Sequence, residues 1–128
     1  MEYCTEIWSP YQKLLINKIE KVQKLYTRIV YKKCGLPYTN YENRLTAFNL
    51  QSLENRRKAL QLTTLNRLVF NKFDFDIFKI IDFSQRKSRK HDYQIRVKHR
   101  NKKSANSFIH RNSNNWNNLD AGMVSLGW

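Results

Sequence analysis

The sequence predicts a mainly α-helical protein, a small helical domain of three to five helices with a short basic strand or hairpin near residues 91–100. Three observations lead there. Apolar residues recur at helical spacing in two long stretches, one from Leu15 to Ile29 and one from Leu53 to Val69. Gly (3) and Pro (2) are scarce, so little interrupts those stretches. Only His91 to His99 alternates with period two. A chain of 128 residues is one domain at most, and we read 1–128 as a single domain or fragment.

The first long helix is expected from Ser9-Pro10 onward, Ser as N-cap and Pro in the first turn, where a missing N–H costs nothing. Leu15, Ile19, Val22, Tyr26 and Ile29 then fall on one seam, an arc of roughly 80° at 100° per residue, expected to pack inward. Lys13, Lys21, Lys24, Arg28 and Lys32 lie opposite, with Glu20 spaced to pair with Lys24. Gly35 closes the helix after Cys34, and Pro37 follows.

Thr39 and Glu42 have capping-box spacing for a short helix through Phe48. Ser52 caps a third helix, Leu53 to Asn71, whose wide apolar arc of Leu60, Leu62, Leu65, Leu68 and Val69 suits packing on several sides. Helices one and three are expected to pack together. Phe73 to Phe83 reads as another short helix. In the strand, Tyr93, Ile95 and Val97 face one way and Gln94, Arg96 and Lys98 the other, so Tyr93 reads as a core residue. A last helix is expected between Ser104 and Asn117, against its Asn content.

Charge narrows the partners. Against 24 Lys+Arg stand 10 Asp+Glu, a net +14, which draws a protein to polyanions: nucleic acid first, acidic membrane surfaces second. Residues 11–34 carry +6, residues 51–72 carry +4 and residues 84–103 carry +8. The candidate nucleic-acid-binding side chains are therefore Lys21, Lys24 and Arg28 on the first helix and Arg56 and Arg67 on the third. Arg86, Lys87, Arg89, Lys90, Arg96, Lys98 and Arg100 add a third group in and before the strand. This pattern serves phosphate neutralisation and carries no sequence specificity.

Catalytic and metal-binding constellations are not apparent. Asp74 and Asp76 have no third carboxylate or flanking His and read as solvated acids. Cys4 and Cys34 form no Cys-x-x-Cys pair, and His91, His99 and His110 lack metal-ligand spacing. Cys34 reads as a small apolar side chain at a helix end. No apolar run approaches the roughly 18 residues that cross a bilayer, and no signal peptide is recognised. The expectation is an intracellular protein, nuclear or cytoplasmic, with no cofactor and no membrane partner. The Arg86–Lys90 cluster is compatible with nuclear import.

The order of several landmarks points further. Trp8-Ser9-Pro10-Tyr11, Ile19-Glu20-Lys21-Val22-Gln23, Tyr26 and Arg28 lead into Leu36-Pro37-Tyr38, Arg44-Leu45 and Leu50. Ser52-Leu53-Glu54, Arg56-Arg57, Phe108, Arg111, Trp116-Asn117 and Leu119 follow. Over residues 7–119 the chain resembles the region just after the polymerase core of jockey-type non-LTR retrotransposon reverse transcriptases. The resemblance implies a thumb-like helical region over 7–72, a post-thumb C-terminal extension over 73–119 and a tail over 120–128. It implies a role in gripping a template–primer duplex, RNA, DNA or hybrid, through its backbone. The family's divalent metal, Mg by expectation, belongs to an Ala-Asp-Asp palm site, a box this sequence does not contain. Two departures stand out: Asp120 where the family has Pro, and a short Leu126-Gly127-Trp128 tail in place of an amphipathic segment. The expectation is a catalytically incomplete C-terminal fragment that binds nucleic acid non-specifically. The alternatives are the thumb piece of a split polymerase whose palm is encoded upstream, and a domesticated helical module whose Leu15-to-Ile29 seam binds another helix.

Overall fold

The computed structural model describes residues 4–70, 79–84, 90–96 and 106–125. Six α-helices lie among them: α1 Thr5–Trp8, α2 Lys13–Lys33, α3 Tyr41–Ala47, α4 Leu53–Val69, α5 Phe108–Asn117 and α6 Ala121–Ser125. The described residues are thus mainly helical, as the periodicity predicts. Packing divides the chain into two units, one containing Trp8–Ala59 and the other Thr5–Ile7 with Leu60–Trp128. The division falls within α4.

In the first unit α2 begins at Lys13, with Gln12 rather than Ser9 at its N-cap. Its C-terminus is as expected: Cys34 is the C-cap and Gly35 takes φ +69°, a left-handed conformation that glycine adopts without a Cβ clash. The α3 N-cap is Asn40, whose side chain accepts from Asn43 N at 2.8 Å, so the expected Thr39/Glu42 capping box is not the device used. Ser52 does cap α4, its Oγ accepting from Asn55 N at 3.3 Å.

The rotation of α2 overturns one expectation. Glu20, Gln23 and Thr27 are the buried side chains of this helix, about 110° round from the centre of the Leu15/Ile19/Val22/Tyr26/Ile29 seam. Leu15, Val22, Tyr26 and Ile29 are between 41% and 65% exposed. The cause is hydrogen bonding. The first N–H groups of α4 have no intrahelical acceptor, and the Glu20 carboxylate accepts from Leu53 N at 3.2 Å and Glu54 N at 3.4 Å. It also accepts from the Tyr41 hydroxyl. Gln23 Nε2 donates to Gln51 O at 2.8 Å, and Thr27 Oγ1 bonds back to Gln23 O at 2.9 Å. The polar side chains therefore turn inward. Glu20 does not serve Lys24, whose ammonium instead stands 5.1 Å from the Tyr41 ring centre. The two long helices meet at the first turn of α4, through Glu20.

In the second unit Leu65, Val69, Ile81, Ile95, Trp116 and Val124 form the buried core. Of the strand expected at 91–100, residues 97–100 lie outside the described residues; among the described ones an isolated antiparallel bridge joins Phe83 and Ile95, with Ser84 N donating to Gln94 O and Arg96 N to Asp82 O, both at 2.7 Å. On its other side Ile95 is paired by the Asn117 side chain. Its Nδ2 donates to Ile95 O at 3.0 Å and its Oδ1 accepts from Ile95 N at 2.9 Å. Trp116, fully buried, donates from Nε1 to Tyr93 O at 2.8 Å. Tyr93 meets Phe70 and Phe83 edge-on at 5.1 and 6.5 Å while its outer side stays solvated. Residues 79–84 are not α-helical, so the helix expected up to Phe83 does not extend there; residues 71–78, with Asp74 and Asp76, lie outside the described residues. Helix α5 starts at Phe108 after Ser107, within the expected 104–117 span. Arg111 holds the short α1 in this unit, donating from Nη2 to Thr5 O at 3.0 Å and to Glu6 O. Burial lowers the pKa of this guanidinium, and Glu6 opposes the shift.

Three outcomes are expected. Glu20→Ala strips acceptors from one hydroxyl and two backbone N–H groups and should lower unfolding free energy by about 2–3 kcal/mol, read from urea denaturation; a loss near zero would contradict its capping role. Burial and the Glu20 bond hold the Tyr41 phenol above its ordinary range. Because the folded-state value is the higher one, this contribution is intact below about pH 10 and is lost as pH climbs beyond it. Tyr41→Phe should flatten that alkaline decline. Finally, Val22→Ser and Ile29→Ser should each cost at most about 1 kcal/mol, far from the roughly 2–5 kcal/mol of a core truncation, and a larger loss by thermal unfolding would restore the inward seam.

Candidate nucleic-acid interface

The cationic side of α2 is set by the same rotation. With Glu20, Gln23 and Thr27 turned in, Lys21, Lys24, Arg28 and Lys32 are all exposed. They follow each other at intervals of three and four residues, so they share one side of the helix over about 16 Å. Glu20, the one acid on this helix, is buried, and no carboxylate of α2 screens these charges.

Beside this side of α2 the chain passes through Leu36-Pro37-Tyr38 and enters α3. Two adjoining hollows result. One, of about 570 Å³, is lined by Arg28, Ile29, Lys32, Leu36, Tyr38 and Arg44 among others. The second, of about 250 Å³, is lined by Lys21, Lys24, Leu25, Arg28, Tyr38 and Arg44. Tyr38 belongs to both and is 89% exposed. Arg44 also belongs to both, yet is only 6% exposed. Its Nη1 donates to Thr39 O, its guanidinium lies 5.8 Å from the Tyr41 ring centre, and its buried Nε has no hydrogen-bond partner. No carboxylate is paired with it among the described residues. A buried guanidinium without an anion is costly, and its fork geometry matches a phosphate or carboxylate.

Four of the remaining candidates are described, one in the first unit and three in the second. Arg56 lies half-buried in the first unit. Arg67, Lys90 and Arg96 are exposed in the second, where Lys90 Nζ donates to Asn118 Oδ1 at 2.6 Å. Arg86, Lys87, Arg89, Lys98 and Arg100 lie outside the described residues. Of the twelve expected side chains, the structure brings Lys21, Lys24 and Arg28 together. Tyr38 and Arg44 figure in the sequence only as landmarks of the resemblance and not as candidate binding residues. Arg44 sits in a segment of balanced charge and Tyr38 in a turn, and neither position carries a periodic signal.

Among the described residues no three His, Cys, Asp or Glu side chains come together as metal ligands. His91 is buried with Nε2 3.0 Å from Trp116 O, and Cys34 is exposed at its helix end. No described helix is long and apolar enough to cross a membrane.

The chain is similar to a Caenorhabditis elegans protein described as "Uncharacterized protein B0403.1". The two are 31% identical over 75 residues, which make up 59% of this chain and 38% of that protein. The match therefore spans well under two thirds of that relative's length. No family model matches the chain, and no solved structure matches it at a significant level.

Proposed function

We propose that this protein binds nucleic-acid backbone without sequence preference, as the thumb-like part of a jockey-type reverse transcriptase that carries no catalytic site of its own. The observation that carries the reading is the row Lys21, Lys24, Arg28 and Lys32, exposed on one side of α2 with no acid of that helix beside it. Its length of about 16 Å corresponds to about five base steps of a duplex at 3.4 Å each. Cations so spaced track one strand of phosphates and displace its condensed counterions. Because they reach no base edge, they position the duplex and leave its sequence unread. The landmark order over residues 7–119 supports the polymerase setting. In that setting a palm on another segment or chain supplies the divalent metal, and the grip of α2 holds template and primer against it.

Salt dependence tests this directly. With about five phosphates neutralised, log K on duplex DNA should fall against log salt with a slope of about −4 to −5. The triple substitution of Lys21, Lys24 and Arg28 by Ala should shallow that slope by about 2–3. Binding that is undetectable at low salt, or indifferent to salt, would falsify the reading.

One observation favours a second reading. The Leu15, Val22, Tyr26 and Ile29 stripe lies exposed, as a helix that docks onto another polypeptide presents itself. Concentration-dependent assembly insensitive to salt, measured by sedimentation, would support this interaction module.

A further inference from the structure

We infer that the hollow between α2 and α3 is a binding site for a single-stranded nucleotide segment, with a phosphate on Arg44 and Arg28 and the adjoining base stacked on Tyr38. The inference rests on the proposed nucleic-acid binding and names the form of nucleic acid that this site selects. Three features converge on it. Arg44 is a buried cation whose Nε lacks a partner and which pairs with no carboxylate among the described residues, so the site holds a standing demand for an anion. Arg28 and Lys32 line the larger hollow, and Lys21 and Lys24 the smaller, so the positive charge continues along α2 in both. Tyr38 exposes its ring where the two hollows adjoin, flanked by Arg28 and Arg44. A free aromatic face between cations is the arrangement that stacks an unpaired base while the backbone follows the charges. A paired base in a duplex hides its face in the stack and has nothing to offer Tyr38. Free mononucleotides share the phosphate chemistry, but the cationic row beyond the hollow is available only to a strand.

The test uses the whole chain and fluorescence anisotropy at fixed low salt. The probes are a labelled twelve-residue oligothymidylate, the same strand lacking its bases, and a duplex of equal length. Tyr38→Ala should weaken the single strand about tenfold, the loss of one stacked base, and change duplex affinity less than twofold. Tyr38→Phe, which keeps the ring, should restore the strand. The base-free strand should bind the unaltered protein about as weakly as oligothymidylate binds Tyr38→Ala. Arg44→Lys should weaken both strands alike, and circular dichroism reports whether this buried position still folds. If Tyr38→Ala leaves oligothymidylate affinity unchanged while duplex binding persists, this inference falls and the general grip stands. If thymidine monophosphate competes as well as the strand at equal phosphate concentration, the site is a mononucleotide pocket and the strand claim is wrong. If neither strand nor duplex binds the unaltered protein, both proposals fall.

Discussion

One carboxylate sets the orientation of the longest helix. Glu20 is buried, and a buried charge must be hydrogen-bonded to persist. Its three donors, the Tyr41 hydroxyl and the backbone N–H groups of Leu53 and Glu54, come from α3 and from the first turn of α4. The positive end of the α4 dipole adds to the attraction. Fixing Glu20 fixes the rotation of α2 about its axis, and with it everything α2 shows to solvent. Three sectors follow at 100° per residue: a polar one turned in, a cationic one beginning beside Lys24, and an apolar one holding Leu15, Val22 and Ile29. Had the apolar sector packed inward, the cations would have pointed elsewhere, and Arg28 would not share a hollow with Tyr38 and Arg44.

The second unit solves a related problem with neutral side chains. Among the described residues its extended segments meet at one bridge, and buried backbone polar groups require partners. Asn117 supplies both halves of an amide pairing to Ile95, Trp116 caps the Tyr93 carbonyl, and Asn66 donates to Val124 O at 3.1 Å. Gln61 and Arg111 do the same for the end of α1 at Thr5. These polar groups surround the core of Leu65, Val69, Ile95 and Trp116. In the Asn-rich stretch that argues against a helix by propensity, Asn117 bonds the backbone of Ile95 and Asn112 the Phe108 carbonyl of its own helix, while Asn114 and Asn115 are exposed.

The long helices were legible in the sequence because periodicity, caps and breakers agree there: Gly35 ends α2 and Ser52 starts α4 at the positions read. The rotation of α2 was not legible. A seam of Leu, Ile and Val reads inward by hydropathy alone, and the competing demand came from N–H groups 33 and 34 residues downstream of Glu20. The same limit applies to the strand. Alternation pointed to the segment that holds Ile95, but not to the side chain 22 residues away that pairs with the backbone of Ile95. As for the candidate site, cationic spacing on α2 picked out Lys21, Lys24 and Arg28, which lie exposed on one side of the helix. Arg44 could not be singled out, since what distinguishes it is burial without a counter-charge, a property of packing rather than of pattern.

The cationic and apolar sectors of α2 place different constraints on whatever meets this helix. A second copy laid along the stripe would bring Lys18, Lys21 and Lys32 of both copies together, with no exposed acid on the helix to separate them. Like charges so placed oppose pairing. A polyanion meets no such penalty, because its phosphates exchange loosely held counterions for fixed lysine and arginine charges. The two sectors lie side by side on the cylinder and adjoin at Ile29, which belongs to the stripe and also lines the larger hollow. Away from Ile29, occupation of one sector does not exclude occupation of the other. A partner that covers Leu15 and Val22 and a strand that follows Lys21, Lys24 and Arg28 are compatible on the same helix, and the two modes differ in their response to salt.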